Sequence, residues 1–157
     1  MVGHPETVVH VIRSEVVMDG YGKRVLIAEE DEDARNLLIL MLEKAGYSVY
    51  VALDERQASE EIEKRRFDVV LVVHHMPRMN GLQLVLLGRF VRPGIPMILL
   101  SGEDASVAEK AKLGGAYGFL RKPYDASELL GLMRRAIQAA REHRSHVPMP
   151  ESLPTYG

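Results

Sequence analysis

The chain has 157 residues and a mass of 17.6 kDa, the size of one domain with short extensions. Its 46% hydrophobic and 27% charged residues exclude a wholly disordered chain, and a net charge of -2 (20 Lys and Arg against 22 Asp and Glu) gives no reason to expect nucleic acid as a partner. The absence of cysteine excludes disulfides, thiolate metal ligands and Cys nucleophiles, and it fits a cytoplasmic location; no apolar run approaches the roughly 20 residues of a membrane span, and the N-terminus lacks the pattern of a secretory signal.

In chain order, residues 1–22 read as an N-terminal extension or arm closed by the turn signal Asp19-Gly20-Tyr21-Gly22. Its valine-rich piece Thr7–Val17 suits an extra strand or an arm, and Met18 is a natural alternative start. Short β-branched runs follow at Arg24–Ala28, Tyr47–Ala52, Asp68–Val73, Ile95–Ser101 and Ala116–Arg121. Helical patterns lie between them at Asp33–Ala45, Asp54–Arg66, Gly81–Val91 and Ser106–Leu113, with a last one from Asp125 to about Arg144. Five strand–helix alternations predict an α/β fold, a parallel sheet covered on both faces.

Local signals agree. The first and third strands are almost continuously apolar, as strands buried on both faces are. The first helix carries an apolar stripe of Leu37, Leu38, Met41, Leu42 and Ala45. Capping-box spacing opens three helices, at Asp54/Gln57, Ser106/Glu109 and Asp125/Glu128. The helix Gly81–Val91 has two apolar stripes, Leu82, Val85, Leu86 and Phe90 for the core and Leu84, Leu87 and Val91 beside it. The second stripe is either a wider core face or a surface for a partner. The last helix is expected to bury Leu129, Leu132, Met133, Ala136 and Ile137, and to expose Arg134, Arg135 and Arg141. Residues 139–157 read as the end of that helix and a flexible tail.

Ligands of an open parallel sheet sit at the carboxyl ends of its strands, so the residues following each strand are the candidates for chemistry. After the first strand come five acids, Glu29 to Asp33. Glu29 and Glu30 are placed to hold a hard cation, whereas Asp31, Glu32 and Asp33 suit a helix N-terminus. After the third strand come His74 and His75, adjacent side chains that diverge and make a poor transition-metal site. Ser101 ends the fourth strand and Lys122 the fifth, a hydroxyl and an ammonium at the same rim.

With these residues in order, the chain resembles the receiver domain of two-component response regulators over about residues 23–138. The matching motifs are Val25 to Glu30, Met76-Pro77-Arg78-Met79-Asn80-Gly81, Pro96 to Gly102, and Gly114 to Tyr124. The resemblance implies a flavodoxin-like, doubly wound sheet of five parallel strands in the order 2-1-3-4-5. It also implies a Mg²⁺ acid pair at Glu29 and Glu30, a metal-facing backbone carbonyl at His75, phosphoryl-contacting groups at Ser101 and Lys122, and an aromatic switch position at Phe119.

The position that family uses to accept a phosphoryl group falls on Val73, which has no oxygen. Loss of that carboxylate lowers cation affinity, so Mg²⁺ binding is expected to be weak or lost and no resident cofactor is expected. Lys122 is then free to pair with Glu29 or Glu30. The resulting expectation is a pseudo-receiver: not an enzyme, but a phosphorylation-independent protein-interaction module in two-component signalling. Its partner would be a histidine kinase, another receiver or an output protein, with a homodimer as a further option. The face of the fourth helix, fifth strand and fifth helix is the family's usual one. About 19 residues follow the receiver-like region, too few for a helix-turn-helix output module with its own core. Two alternatives remain: a phosphorelay receiver with a non-standard acceptor among Glu30, Asp31, His74 and His75, or a flavodoxin-like module responsive to pH or a small ligand.

Overall fold

The computed structural model describes residues 20–74, 80–103 and 105–146. Strands and helices alternate as β1 (Arg24–Ala28), α1 (Glu32–Lys44), β2 (Ser48–Ala52), α2 (Glu55–Lys64), β3 (Val69–Val73), α3 (Gly81–Val91), β4 (Met97–Ser101), α4 (Ala105–Leu113), β5 (Gly118–Arg121) and α5 (Ala126–His146). Every element expected from the sequence is present, its ends shifted by two residues at most. Most of the expected N-terminal arm and all of the tail beyond residue 146 lie outside the described residues.

All strand pairs are parallel, and the sheet order is β2-β1-β3-β4-β5. The registers Ala28↔Ala52, Ala28↔Val72, Val73↔Leu100 and Ser101↔Arg121 bring the carboxyl ends of the strands to one rim. Every residue of β3 and β4 is buried, because helices cover both faces. Val70, Val72 and Leu99 pack with Ile62 of α2, Leu84 and Val85 of α3, and Val107 of α4. Val69, Leu71, Val73, Ile98 and Leu100 pack on the other face with Leu38 and Leu42 of α1 and Leu129 and Met133 of α5. Each such aliphatic side chain contributes about 1.5–3 kcal/mol by leaving water.

Two apolar stripes differ from expectation. In α1 the buried residues are Leu38 and Leu42, with Ala45 buried at its C-cap, while Leu37 is 66% exposed. One residue turns the helix by roughly 100°, so a stripe centred on Leu38 and Leu42 carries Leu37 off the sheet. In α3 the buried positions are Gly81, Leu84, Val85 and Gly88, with Leu82, Leu87 and Val91 at their flanks. Leu86 and Phe90, expected in the core, are exposed, Phe90 by 78%. The cause is the glycine line. A Cβ on Gly88 would overlap Met97 Sδ of β4, and one on Gly81 would sit 2.9 Å from Leu99 Cδ1. The helix therefore approaches the sheet on its glycine edge and turns Phe90 outward.

The caps are also mixed. Asp125 Oδ1 accepts from Glu128 N at 2.8 Å and Glu128 Oε1 accepts from Asp125 N at 3.3 Å, a reciprocal box. Asp54 Oδ1 accepts from Gln57 N at 2.8 Å, but Gln57 reaches back one residue further, to Leu53 N. Ser106 lies inside α4, which starts at Ala105, rather than at the position before the helix where the spacing puts it.

Candidate functional site

The rim is built from the chain segments just past β1, β3, β4 and β5. Glu29 continues the β1 ladder, its N–H donating to Ala52 O at 3.2 Å, and this draws the side chain inside until it is 2% exposed. One carboxylate oxygen accepts from Asp31 N at 3.3 Å, and the other lies 3.9 Å from Lys122 Nζ. Burial pushes the Glu29 carboxyl above its ordinary value, and the Asp31 N–H and the Lys122 charge oppose that rise only in part. Glu30 turns its Oε2 into a buried position with no partner among the described residues.

The other acids of the run serve the helix. Asp31 is the N-cap of α1, accepting from Ala34 N at 2.8 Å, and Glu32 and Asp33 occupy the first turn. Arg35, one turn into α1, folds back and donates to the carbonyls of Glu29 and Glu30 at 3.2 and 3.1 Å. This clamp fixes the β1–α1 loop, and sequence reasoning missed it: the residues are five and six apart and follow no helical spacing.

At the end of β3, Val73 is 2% exposed and belongs to the apolar cluster under α1 and α5. His74 is next, donating its N–H to Leu100 O at 2.9 Å. Its Nε2 lies 3.9 Å from Glu103 Oε2, and its Nδ1 is buried without a partner among the described residues. His75, assigned a backbone carbonyl role, lies outside the described residues, as do residues 76–79. Ser101 is fully buried. Its Oγ accepts from Glu103 N at 3.0 Å, closing a turn ahead of α4. Its carbonyl accepts from Lys122 N at 2.8 Å.

Lys122 precedes a cis peptide to Pro123. Next in the chain, Tyr124 is drawn into the same site: burial, and then the Glu29 charge, hold its phenol above the ordinary value. Phe119 is half-buried and packs on the opposite face of the sheet from Val73, against the cluster of α2, α3 and α4. The structure thus brings Glu29, Ser101 and Lys122 to one rim beside Val73 and leaves Phe119 inside β5.

The described side chains are a poor donor set for a divalent cation: Val73 offers no oxygen and one oxygen of Glu29 faces Lys122, which leaves Glu30 Oε2 as the carboxylate oxygen of the acid pair without a partner among the described residues.

These features define a doubly wound α/β domain with a polar rim at its strand ends. The chain belongs to the response regulator receiver domain family, whose model matches residues 25–134. It is 32% identical over 117 residues to the DNA-binding transcriptional regulator NtrC of Rhizobium meliloti (strain 1021), covering 74% of this chain and 24% of that one. It is 34% identical over 116 residues to the response regulator MprA of Mycolicibacterium vanbaalenii, covering 73% and 50% respectively. The chain therefore spans between a quarter and a half of these curated relatives. Among solved structures, a CheY-like response regulator receiver domain protein from Methanospirillum hungatei JF-1 superposes with a TM-score of 0.73 at 24% identity, covering 77% of this chain and 98% of that one.

Proposed function

We propose that this receiver domain works as a phosphorylation-independent interaction module, a pseudo-receiver in two-component signalling. The observation that carries the reading is Val73. It ends the central strand β3 where the family resemblance puts the phospho-acceptor, and it is packed among aliphatic side chains. Valine offers no nucleophile. The pair formed by Glu29 and Lys122 adds support, since it satisfies part of the rim's charge with no phosphoryl group or metal.

A domain of this kind acts through its surface. Its partner is a protein of the same signalling class: a histidine kinase, another receiver, an output protein or a second copy. Exposed Leu86 and Phe90 on α3, and the face of α4, β5 and α5, are the surfaces available for it. We place it in the cytoplasm, where such kinases present their phosphoryl groups; among the described residues no helix is long and apolar enough to cross a membrane.

The test is phosphorylation by a small-molecule donor with Mg²⁺, read by intact mass, with Val73→Asp run in parallel. The expected result is a phosphoryl adduct on the variant alone. An adduct on the wild type overturns the reading and directs mapping to Glu30, Asp31, His74 and His75. If neither chain reacts, the rim has lost more than the acceptor.

A further inference from the structure

The pole opposite the rim, where the strands begin, holds a cavity of about 670 Å³ between the starts of β1 and β3 and the ends of α3 and α5. Four guanidinium side chains line it, those of Arg24, Arg66, Arg92 and Arg144, against a single carboxylate, Asp68. Asp68 is already engaged, accepting from the backbone N–H of Arg24 at 2.8 Å. Among the described residues none of the four arginines forms an ion pair with an acid.

Two of the guanidinium groups are held in place. Arg92 donates to the carbonyls of Ile62 and Glu63 at 3.1 and 2.9 Å, and Arg24 lies over the Tyr50 ring at 5.9 Å. Arg66 and Arg144 also line the cavity and are exposed. The ends of α2, α3 and α5 contribute about half a negative charge each, which explains why cations gather at this pole. That charge is outweighed by four guanidinium groups, and dipoles alone do not create a concave site with Phe67, Val91 and Ile95 in its lining.

We propose that this cavity binds a small polyphosphate-bearing ligand of the nucleotide class. Guanidinium forks match phosphate oxygens bidentately, and their number here suits a ligand carrying several negative charges. The volume falls within the range of small-molecule sites, and the apolar lining gives a ring a place to rest. A flat basic face would suit a duplex or an acidic protein equally well; a half-open concave site with several guanidinium groups around it favours a compact anion.

The experiment is calorimetric titration of the full chain with ATP, GTP and inorganic tripolyphosphate at low ionic strength. Saturable one-site binding is expected, and Arg66→Glu and Arg144→Glu should each weaken it about tenfold or more, the usual worth of a charged hydrogen bond. Arg135→Glu makes the same charge change on α5 outside this cavity and should leave affinity nearly unchanged. Both arginines are exposed, and urea unfolding of each variant checks that the fold is intact. Tighter binding of the nucleotides than of tripolyphosphate supports ring contact; equal binding supports a site for the phosphates alone. The proposal is overturned if none of the three saturates, or if Arg135→Glu weakens binding as much as Arg66→Glu. It is also overturned if duplex DNA binds where the nucleotides do not. None of these outcomes depends on whether Val73 can be bypassed in phosphoryl transfer.

Discussion

Glu29 and Lys122 meet across the rim at 3.9 Å with unequal access to water. The carboxylate is sealed beneath the β1–α1 loop, while the lysine side chain keeps more than a third of its surface exposed. An ion pair of this shape is set by the buried partner. The carboxylate carries the desolvation cost, and the ammonium repays part of it from the edge of the solvent.

Stability should therefore depend on pH through Glu29. Its folded-state value lies above the ordinary 4.5, with burial as the largest cause. Between 4.5 and the raised value the folded chain keeps a proton that the unfolded chain has released. The unfolding free energy contributed by this group then falls as pH rises through that window. Urea midpoints measured across that window should show the decline in the wild type and a flatter profile in Glu29→Gln. An unchanged slope in the variant would mean that another group carries the dependence.

Removing the cation leaves the buried charge with less compensation. Lys122→Met should cost about 1–2 kcal/mol near neutral pH, less than a fully buried pair because the lysine is partly exposed. The loss should shrink under acid conditions, where Glu29 takes up a proton. Denaturation of wild type and variant at both conditions checks it, and a pH-independent loss would assign Lys122 a packing role.

Tyr124 reports the same carboxylate from a second direction. Burial and the Glu29 charge both disfavour its phenolate and hold its ionisation above 10.0. A spectrophotometric titration of the phenols in wild type and Tyr124→Phe should assign a late-titrating component to Tyr124. Glu29→Gln should bring it part of the way back, since burial, the larger cause, remains. No movement in the variant would separate Tyr124 from the rim.

The sheet is legible from residue order because it rests on a simple pattern. Continuous apolar runs such as Val69–Val73 alternate with capped helices, and parallel pairing then follows from the helical crossover between each strand and the next. Glu29, Ser101 and Lys122 are legible for a related reason: each ends or directly follows a strand, and strand ends converge. Arg35 and Glu103 are not, because a guanidinium folding back onto loop carbonyls and a carboxylate beside His74 depend on loop shape. Tyr124 stands two residues after Lys122 in the motif, but its tie to Glu29 arises only when the chain past β5 reaches back across the rim toward the end of β1, with β3 and β4 between the two strands. The orientation of α3 escapes a count of large apolar residues, because glycines set its closest approach to the sheet.

That reversal in α3 gives a direct test. Leu84→Ala should cost about 2–5 kcal/mol, since Leu84 is fully buried between α3 and the sheet. Phe90→Ser should change stability by no more than about 0.5 kcal/mol, because the ring packs outward. Gly88→Ala should be destabilising by up to about 2 kcal/mol net, because an overlap of the new methyl with Met97 Sδ costing about 1–3 kcal/mol is offset by about 1 kcal/mol from alanine's better helix propensity. Equilibrium urea unfolding of the three variants checks all of this at once. A large loss in Phe90→Ser with little effect in Gly88→Ala would restore the apolar stripe of Leu82, Val85, Leu86 and Phe90 as the core face. It would also take Phe90 away from any partner.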